Sequence, residues 1–176
     1  MPPLVRDVPM PVTVGICLAL SSILFGFGLG GAFGDVEDSI KKRLDDSGTS
    51  VLETAYRGDV AAKDAVVKKS FDYLVRAHLH GGAIGTAALA SSLLLILLTR
   101  LDLAAQLSSL SFGAGALLYA LFWFLAAFAA PGLGSTGAAK KSLEFVAVPG
   151  AGLAILGLCG TFFCLLRERL APPPAA

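Results

Sequence analysis

Two kinds of pattern divide the chain. Residues 11–33, 77–99, 104–129 and 145–166 are apolar almost throughout, whereas residues 35–76 interleave charges with an apolar stripe. A helix rises about 1.5 Å per residue, so about 20 apolar residues cross a hydrocarbon core of about 30 Å, and all four stretches meet that length. The pattern predicts an all-α protein: an integral membrane four-helix transmembrane bundle with an amphipathic helical segment between helices one and two. The first apolar run exceeds the usual hydrophobic region of a signal peptide, and its basic flank is Arg6 alone, offset by Asp7, so it reads as a retained helix.

Connections follow from the breakers. Thr99-Arg100-Leu101-Asp102 is a very short turn, which makes the second and third spans antiparallel neighbours. Pro131-Gly132 ends the third span, and the Gly/Ser/Thr/Ala run from Gly132 to Ala139 reads as a flexible loop. In the charged segment, Val36, Ile40 and Leu44 recur every four residues up to an Asp45-Asp46-Ser47-Gly48 turn. Ser50-x-x-Glu53 then has the form of a capping box, so a second amphipathic helix is expected from about Val51. Val67, Phe71 and Leu74 continue one face toward Ala77, so that helix is expected to run into the second span. Arg57-Gly58-Asp59 spells an adhesion tripeptide, but Gly58 reads as a helix interruption and Asp59 as a restart.

Composition sharpens the class. The chain is 55% hydrophobic with 14 Lys/Arg against 13 Asp/Glu, so no basic field exists to attract nucleic acid and the expected partner is the lipid bilayer. Eight of the basic and nine of the acidic residues lie in 35–76. The Lys/Arg count favours the cytoplasmic side for this segment, although its basic residues also have i,i+4 acidic partners. Cys17, Cys159 and Cys164 form neither a disulfide framework nor a CxxC motif and read as packing residues.

Candidate chemistry centres on the only two histidines, in Arg76-Ala77-His78-Leu79-His80-Gly81-Gly82, because ionisable groups within a membrane span are costly. Positions two apart on a helix differ by about 200°, so His78 and His80 face different neighbours and do not share one ion on a regular helix. The stripe through Phe71 and Leu74 points His78 into the bundle. Gly26-x3-Gly30-x3-Gly34 and Ala77-x3-Gly81-x3-Gly85 carry small residues at the spacing that lets helices approach closely. Gly81, Gly82 and Gly85 also offer room for a flat group such as a haem beside His78, and copper on His78 or His80 is the other candidate cofactor. A third histidine to complete either site within one chain is absent. Glu144 opens the fourth span, where a carboxylate suits the positive end of a helix, and Tyr119, Phe122, Trp123 and Phe124 read as packing residues.

His78, His80, Gly81, Gly82 and Gly85 resemble the second-helix histidine region of haem-copper oxidase and nitric-oxide-reductase-like subunits. They are also similar to the start of helix two in small bacterial four-helix membrane proteins. The oxidase resemblance implies an axial haem ligand in this region and places the 35–76 segment outside, opposite to the basic-residue count. The bacterial resemblance implies an inner-membrane location. The chain departs from the oxidase pattern by lacking the histidines of a copper centre, so oxygen or nitric oxide turnover is not implied. The function expected is a non-enzymatic accessory or structural subunit of a membrane complex or homo-oligomer, with a haem- or copper-binding redox or sensing protein as the alternative.

Overall fold

The computed structural model describes residues 7–98 and 101–170. Expectations for Arg6 and for the Thr99-Arg100 half of the short turn therefore lie outside the described residues. Within them the chain forms six helices: α1 (Met10–Thr49), α2 (Leu52–Ala55), α3 (Val60–Ile96), α4 (Leu103–Gly132), α5 (Thr136–Ser142) and α6 (Glu144–Leu170). Helices α1, α3, α4 and α6 are each long and apolar enough to cross a membrane. The protein is thus an all-α bundle of four membrane-span-like helices.

Helix α4 is the centre of the bundle. Half of its apolar window is buried, against 33% for α1 and 28% for α3 and α6. It packs against all three other long helices, while α6 leans chiefly on α4. Small residues make these contacts possible: a Cβ on Gly113 would collide with the Gly15 backbone of α1, and one on Gly115 with the Ala154 backbone of α6. The two glycines are two positions apart, so they serve opposite faces of one helix. Ser92 and Ser109 exchange a buried hydrogen bond of 2.7 Å between α3 and α4, and Ser109 Oγ also reaches the Val12 carbonyl of α1 at 3.4 Å. In lipid such interhelical hydrogen bonds and close backbone packing replace the hydrophobic drive available in water.

Helices α1 and α3 are 40 and 37 residues long, about 60 and 55 Å, so both outrun a hydrocarbon core of about 30 Å. Their excess length carries the charge. The charged segment is therefore not a pair of separate short helices: α1 continues to Thr49, past the Asp45-Asp46-Ser47-Gly48 sequence, leaving helical dihedrals only at Val36 (φ −127°, ψ 24°). Helical propensity and the i,i+4 pairs Glu37–Lys41 and Lys42–Asp46 carry the chain through a sequence that alone reads as a turn. The kink redirects α1. Phe25 meets Phe124 of α4 and Arg43 meets Phe128, so eighteen residues of α1 span a stretch that α4 covers in four. The charged half of α1 thus leans across the end of α4.

The predicted capping box at Ser50 does not form. Ser50 Oγ donates to the Ser47 carbonyl instead, and Val51 precedes a single turn of helix, α2. Arg57 (φ 56°) and Gly58 (φ 77°) then reverse the chain in the left-handed region, and Asp59 caps α3 by accepting from the Ala62 N–H at 2.9 Å. Glycine carries the second left-handed step without a Cβ clash, whereas Arg57 takes the first at a steric cost. Residues 136–139 are also helical rather than a flexible loop. Ser135 Oγ accepts from the N–H groups of Gly137 and Ala138 and starts α5 there.

Candidate functional site

The two histidines sit on opposite sides of α3, as their spacing requires. His78 faces α1. Its Nδ1 lies 2.7 Å from the Gly26 carbonyl, and because a carbonyl only accepts, Nδ1 is the nitrogen that carries the proton when the ring is neutral. A Cβ on Gly30 would stand 2.8 Å from the His78 ring, so the glycine at this position is what gives the imidazole its berth. Phe33 closes the outer side, edge-on at 5.9 Å, and also contacts Phe71 at 5.6 Å. His78 is half-buried.

Below it the α1–α3 seam is backbone on backbone. A Cβ on Gly26 would lie 2.7 Å from Gly82 N, one on Gly81 3.0 Å from the Ser22 carbonyl, and one on Gly85 2.9 Å from Ile23. Ser22 Oγ donates to the Gly81 carbonyl at 3.1 Å across the same seam. The faces of Gly81 and Gly85 are thus taken by α1, whereas a Cβ on Gly82 or Gly34 would meet nothing within 4 Å.

His80 faces α4. Its ring lies 5.2 Å from Tyr119 and 6.2 Å from Trp123. Arg76, one helical turn earlier, places its guanidinium 4.9 Å over Trp123 and 5.5 Å over Tyr73. Tyr73 in turn meets Trp123 edge-on at 4.9 Å. Trp123 is 8% exposed, and its indole N–H finds no acceptor among the described residues. The sequence hides this group: Arg76 and His80 are i,i+4 on α3, Tyr119 and Trp123 are i,i+4 on α4, and each pair alone looks like ordinary helix packing.

The donor set decides what a cofactor would find. Among the described residues, no group of three His, Cys, Asp or Glu side chains is placed to hold a metal ion. Each histidine offers nitrogen to a different side of α3. That arrangement fits neither a closed copper centre nor a bis-histidine haem within one chain. It fits at most a group held by one imidazole. Glu144 is exposed in the first turn of α6, the position where a carboxylate complements the helix dipole.

The charged hairpin beyond the bundle is a second candidate site, cross-tied by polar contacts. Lys63 Nζ donates to Asp45 at 2.6 Å and to Thr49 Oγ1 at 3.4 Å, and stands 3.1 Å from Asp64. The hydrogen bonds to Asp45 and Asp64 hold its ammonium pKa above the usual lysine range. Its stem covers buried Gly48, where a Cβ would meet Lys63 Cγ at 3.0 Å. Tyr56 Oη donates to the Pro131 carbonyl at 2.8 Å, a second hydrogen bond on an oxygen that also accepts from Gly134 N–H at 3.2 Å at the end of α4. Burial around Tyr56 pushes its phenol pKa up. At the far end, Arg167 of α6 lies 2.7 Å from Asp102, the cap of α4, and this hydrogen bond holds the Asp102 carboxyl below its ordinary range. Compared with known proteins, the chain matches no family model, no curated protein and no solved structure.

Proposed function

We propose that this chain is a non-enzymatic membrane component, a structural or accessory subunit that joins a larger membrane complex or further copies of itself. In this reading it resides in a bacterial inner membrane, as the resemblance to small four-helix proteins implies. The observation that carries the reading is the preorganised hairpin. Lys63 ties α3 to α1, Tyr56 ties the loop to α4, and together they fix an exposed tip carrying Glu53, Arg57 and Asp59. A surface rigid before binding loses little entropy on binding.

The test is purification of the tagged chain from its native membrane in mild detergent, with light scattering and mass spectrometry of the eluate. A stoichiometric partner or a defined homo-oligomer that is lost in a Glu53→Lys/Arg57→Glu variant, with helicity unchanged, supports the reading. A wild-type chain that elutes alone as a monomer overturns it.

One observation favours a second reading. The Gly26 carbonyl accepts from His78 Nδ1, and a backbone acceptor on one ring nitrogen is how a metal-ligating histidine is commonly oriented. We infer that His78 is the residue of this chain that would hold a haem, the group then supplying its own redox or gas-binding chemistry. This chain's residues hold the imidazole in place. An optical spectrum with metal analysis of purified wild type, His78→Ala and His80→Ala tests it. A Soret band lost only in His78→Ala is the expected result, and a colourless wild type overturns the reading.

A further inference from the structure

Hydrogen-bond donors crowd one face of the α3–α4 pair and find no acceptor there. The Arg76 guanidinium lies over the Trp123 and Tyr73 rings, and His80 lies against Tyr119. Among the described residues, the His80 ring, the Tyr119 hydroxyl and the Trp123 indole N–H have no hydrogen-bond partner. By contrast His78 donates to the Gly26 carbonyl, and Ser22, Ser92 and Ser109 are bonded across helices. Nor does any carboxylate among the described residues lie within ion-pair distance of Arg76. Asp72, one turn earlier on α3, sits 3.6 Å from Lys69, and Glu144 of α6 follows the exposed pair Lys140 and Lys141. The charge left over at this end of the bundle is positive.

Depth follows from the bundle itself. Asp102 caps α4 and meets Arg167 of α6 at one end. Trp123 stands 21 residues further along α4, a rise of about 31 Å, which matches a hydrocarbon core of about 30 Å. No Asp, Glu, Lys or Arg occurs between Arg76 and Arg100, between Asp102 and Lys140, or between Glu144 and Arg167. With the Asp102–Arg167 pair at one boundary, Arg76 and Trp123 stand at the other, the level where tryptophan and tyrosine concentrate. His80 and Tyr119 lie side by side one helical turn deeper, about 5 Å into the core. The face is open: Arg76 is exposed, and His80 and Tyr119 are half-buried. Helix α6 passes on the other side of Tyr119, with Gly150 against its backbone, and leans on α4 rather than on α3.

A cation at the boundary with neutral donors one turn below matches a ligand that carries an anion, then uncharged acceptors, then hydrocarbon. A glycerophospholipid has these groups in that order, a phosphate followed by ester carbonyls. A fatty acid lacks the second set, and a quinone lacks the first. We propose that the face formed by Arg76, His80, Tyr119 and Trp123 binds one glycerophospholipid. Arg76 turns from the rings to the phosphate, which accepts a planar guanidinium through two hydrogen bonds. The His80 N–H and the Tyr119 O–H donate to the ester carbonyls, and Trp123 is the floor beneath them. The inference rests on the four helices crossing a membrane and is independent of the accessory-subunit and haem readings.

The full chain, purified in a neutral detergent, is titrated separately with phosphatidylglycerol, with its ether-linked analogue, which lacks the ester carbonyls, and with diacylglycerol, which lacks the phosphate. Adducts are counted by native mass spectrometry. One phosphatidylglycerol per chain is expected, bound more tightly than either analogue. Arg76→Gln should weaken it about five-fold, the worth of one basic contact at a membrane surface, and leave diacylglycerol unchanged. His80→Ala/Tyr119→Phe should bring the ester and ether lipids to equal affinity. Lys42→Gln, which removes a lysine from the exposed extension of α1, should bind as wild type. Circular dichroism melts confirm that each variant is folded. Equal losses in Arg76→Gln and Lys42→Gln, or an Arg76→Gln chain that prefers phosphatidylglycerol to diacylglycerol as strongly as wild type does, overturn the site. An ether lipid that binds wild type as tightly as the ester overturns the roles of His80 and Tyr119. Displacement by inorganic phosphate at equal concentration overturns the lipid as the source.

Discussion

Helix α3 meets its two neighbours by opposite means at the same level. Toward α1 it presents Ala77, Gly81 and Gly85, and the two backbones touch, with His78 laid into the space that Gly30 leaves. Toward α4 it presents Tyr73, Arg76 and His80, and the space is filled by the rings of Tyr119, Phe122 and Trp123. The first seam derives its strength from close dispersion contact and backbone acceptors, and the second from aromatic area and the attraction of a cation for ring faces. A glycine seam therefore fails when something is added, and an aromatic seam fails when something is removed.

The largest effect expected follows from that asymmetry. Trp123→Ala empties the centre of the cluster formed by Leu44, Tyr73, Leu74 and Phe122, and should cost about 3–5 kcal/mol. Gly26→Leu forces a side chain against the Gly82 backbone, which cannot give way as a flexible side chain does, and should cost about 1–3 kcal/mol. Reversible unfolding in mixed micelles measures both. A Trp123→Ala variant that loses less than Gly26→Leu would reverse the assignment of strength between the two seams.

The spans and the helix-packing glycines were legible because both are signals of local spacing. Four apolar runs of sufficient length, and small residues every fourth position, need no knowledge of the partner helix. The opposite facing of His78 and His80 was legible for the same reason. The route of the charged segment was not, since Asp45-Asp46-Ser47-Gly48 reads as a turn until Lys63, eighteen residues on, neutralises Asp45 and covers Gly48. Nor was the Arg76, His80, Tyr119 and Trp123 group, which exists only after α3 and α4 pair. Tyr56 illustrates the limit: nothing near it in sequence announces a bond to Pro131, 75 residues away.

The histidines separate the seams at smaller cost. His78→Ala removes one hydrogen bond and the edge contact with Phe33, a loss of about 1 kcal/mol or slightly more. His80→Ala removes a partner of Tyr119 and Trp123, a loss of about 0.5–1 kcal/mol. Fluorescence tells them apart, because Trp123 is the single tryptophan. The emission should change in His80→Ala and stay as wild type in His78→Ala. A shift of equal size in both would mean that the two faces of α3 are mechanically coupled rather than distinct.

The smallest effect has the opposite sign and tests the glycine seam against its own helix. Gly28 lies two residues from Gly26 but has no neighbour within 4 Å of a Cβ, so no packing argument retains it. Gly28→Ala should therefore stabilise the chain, since alanine gives up less conformational freedom in a helix, by about 0.5–1 kcal/mol. Gly26→Ala on the same helix should destabilise it, because even a methyl group falls 2.7 Å from Gly82 N. The pair holds helix propensity constant and varies only what stands opposite. If Gly28→Ala also destabilises, and does so only at high protein-to-detergent ratio, the open face of α1 is covered by a second copy. The bare methyl then meets a helix that a single chain does not contain.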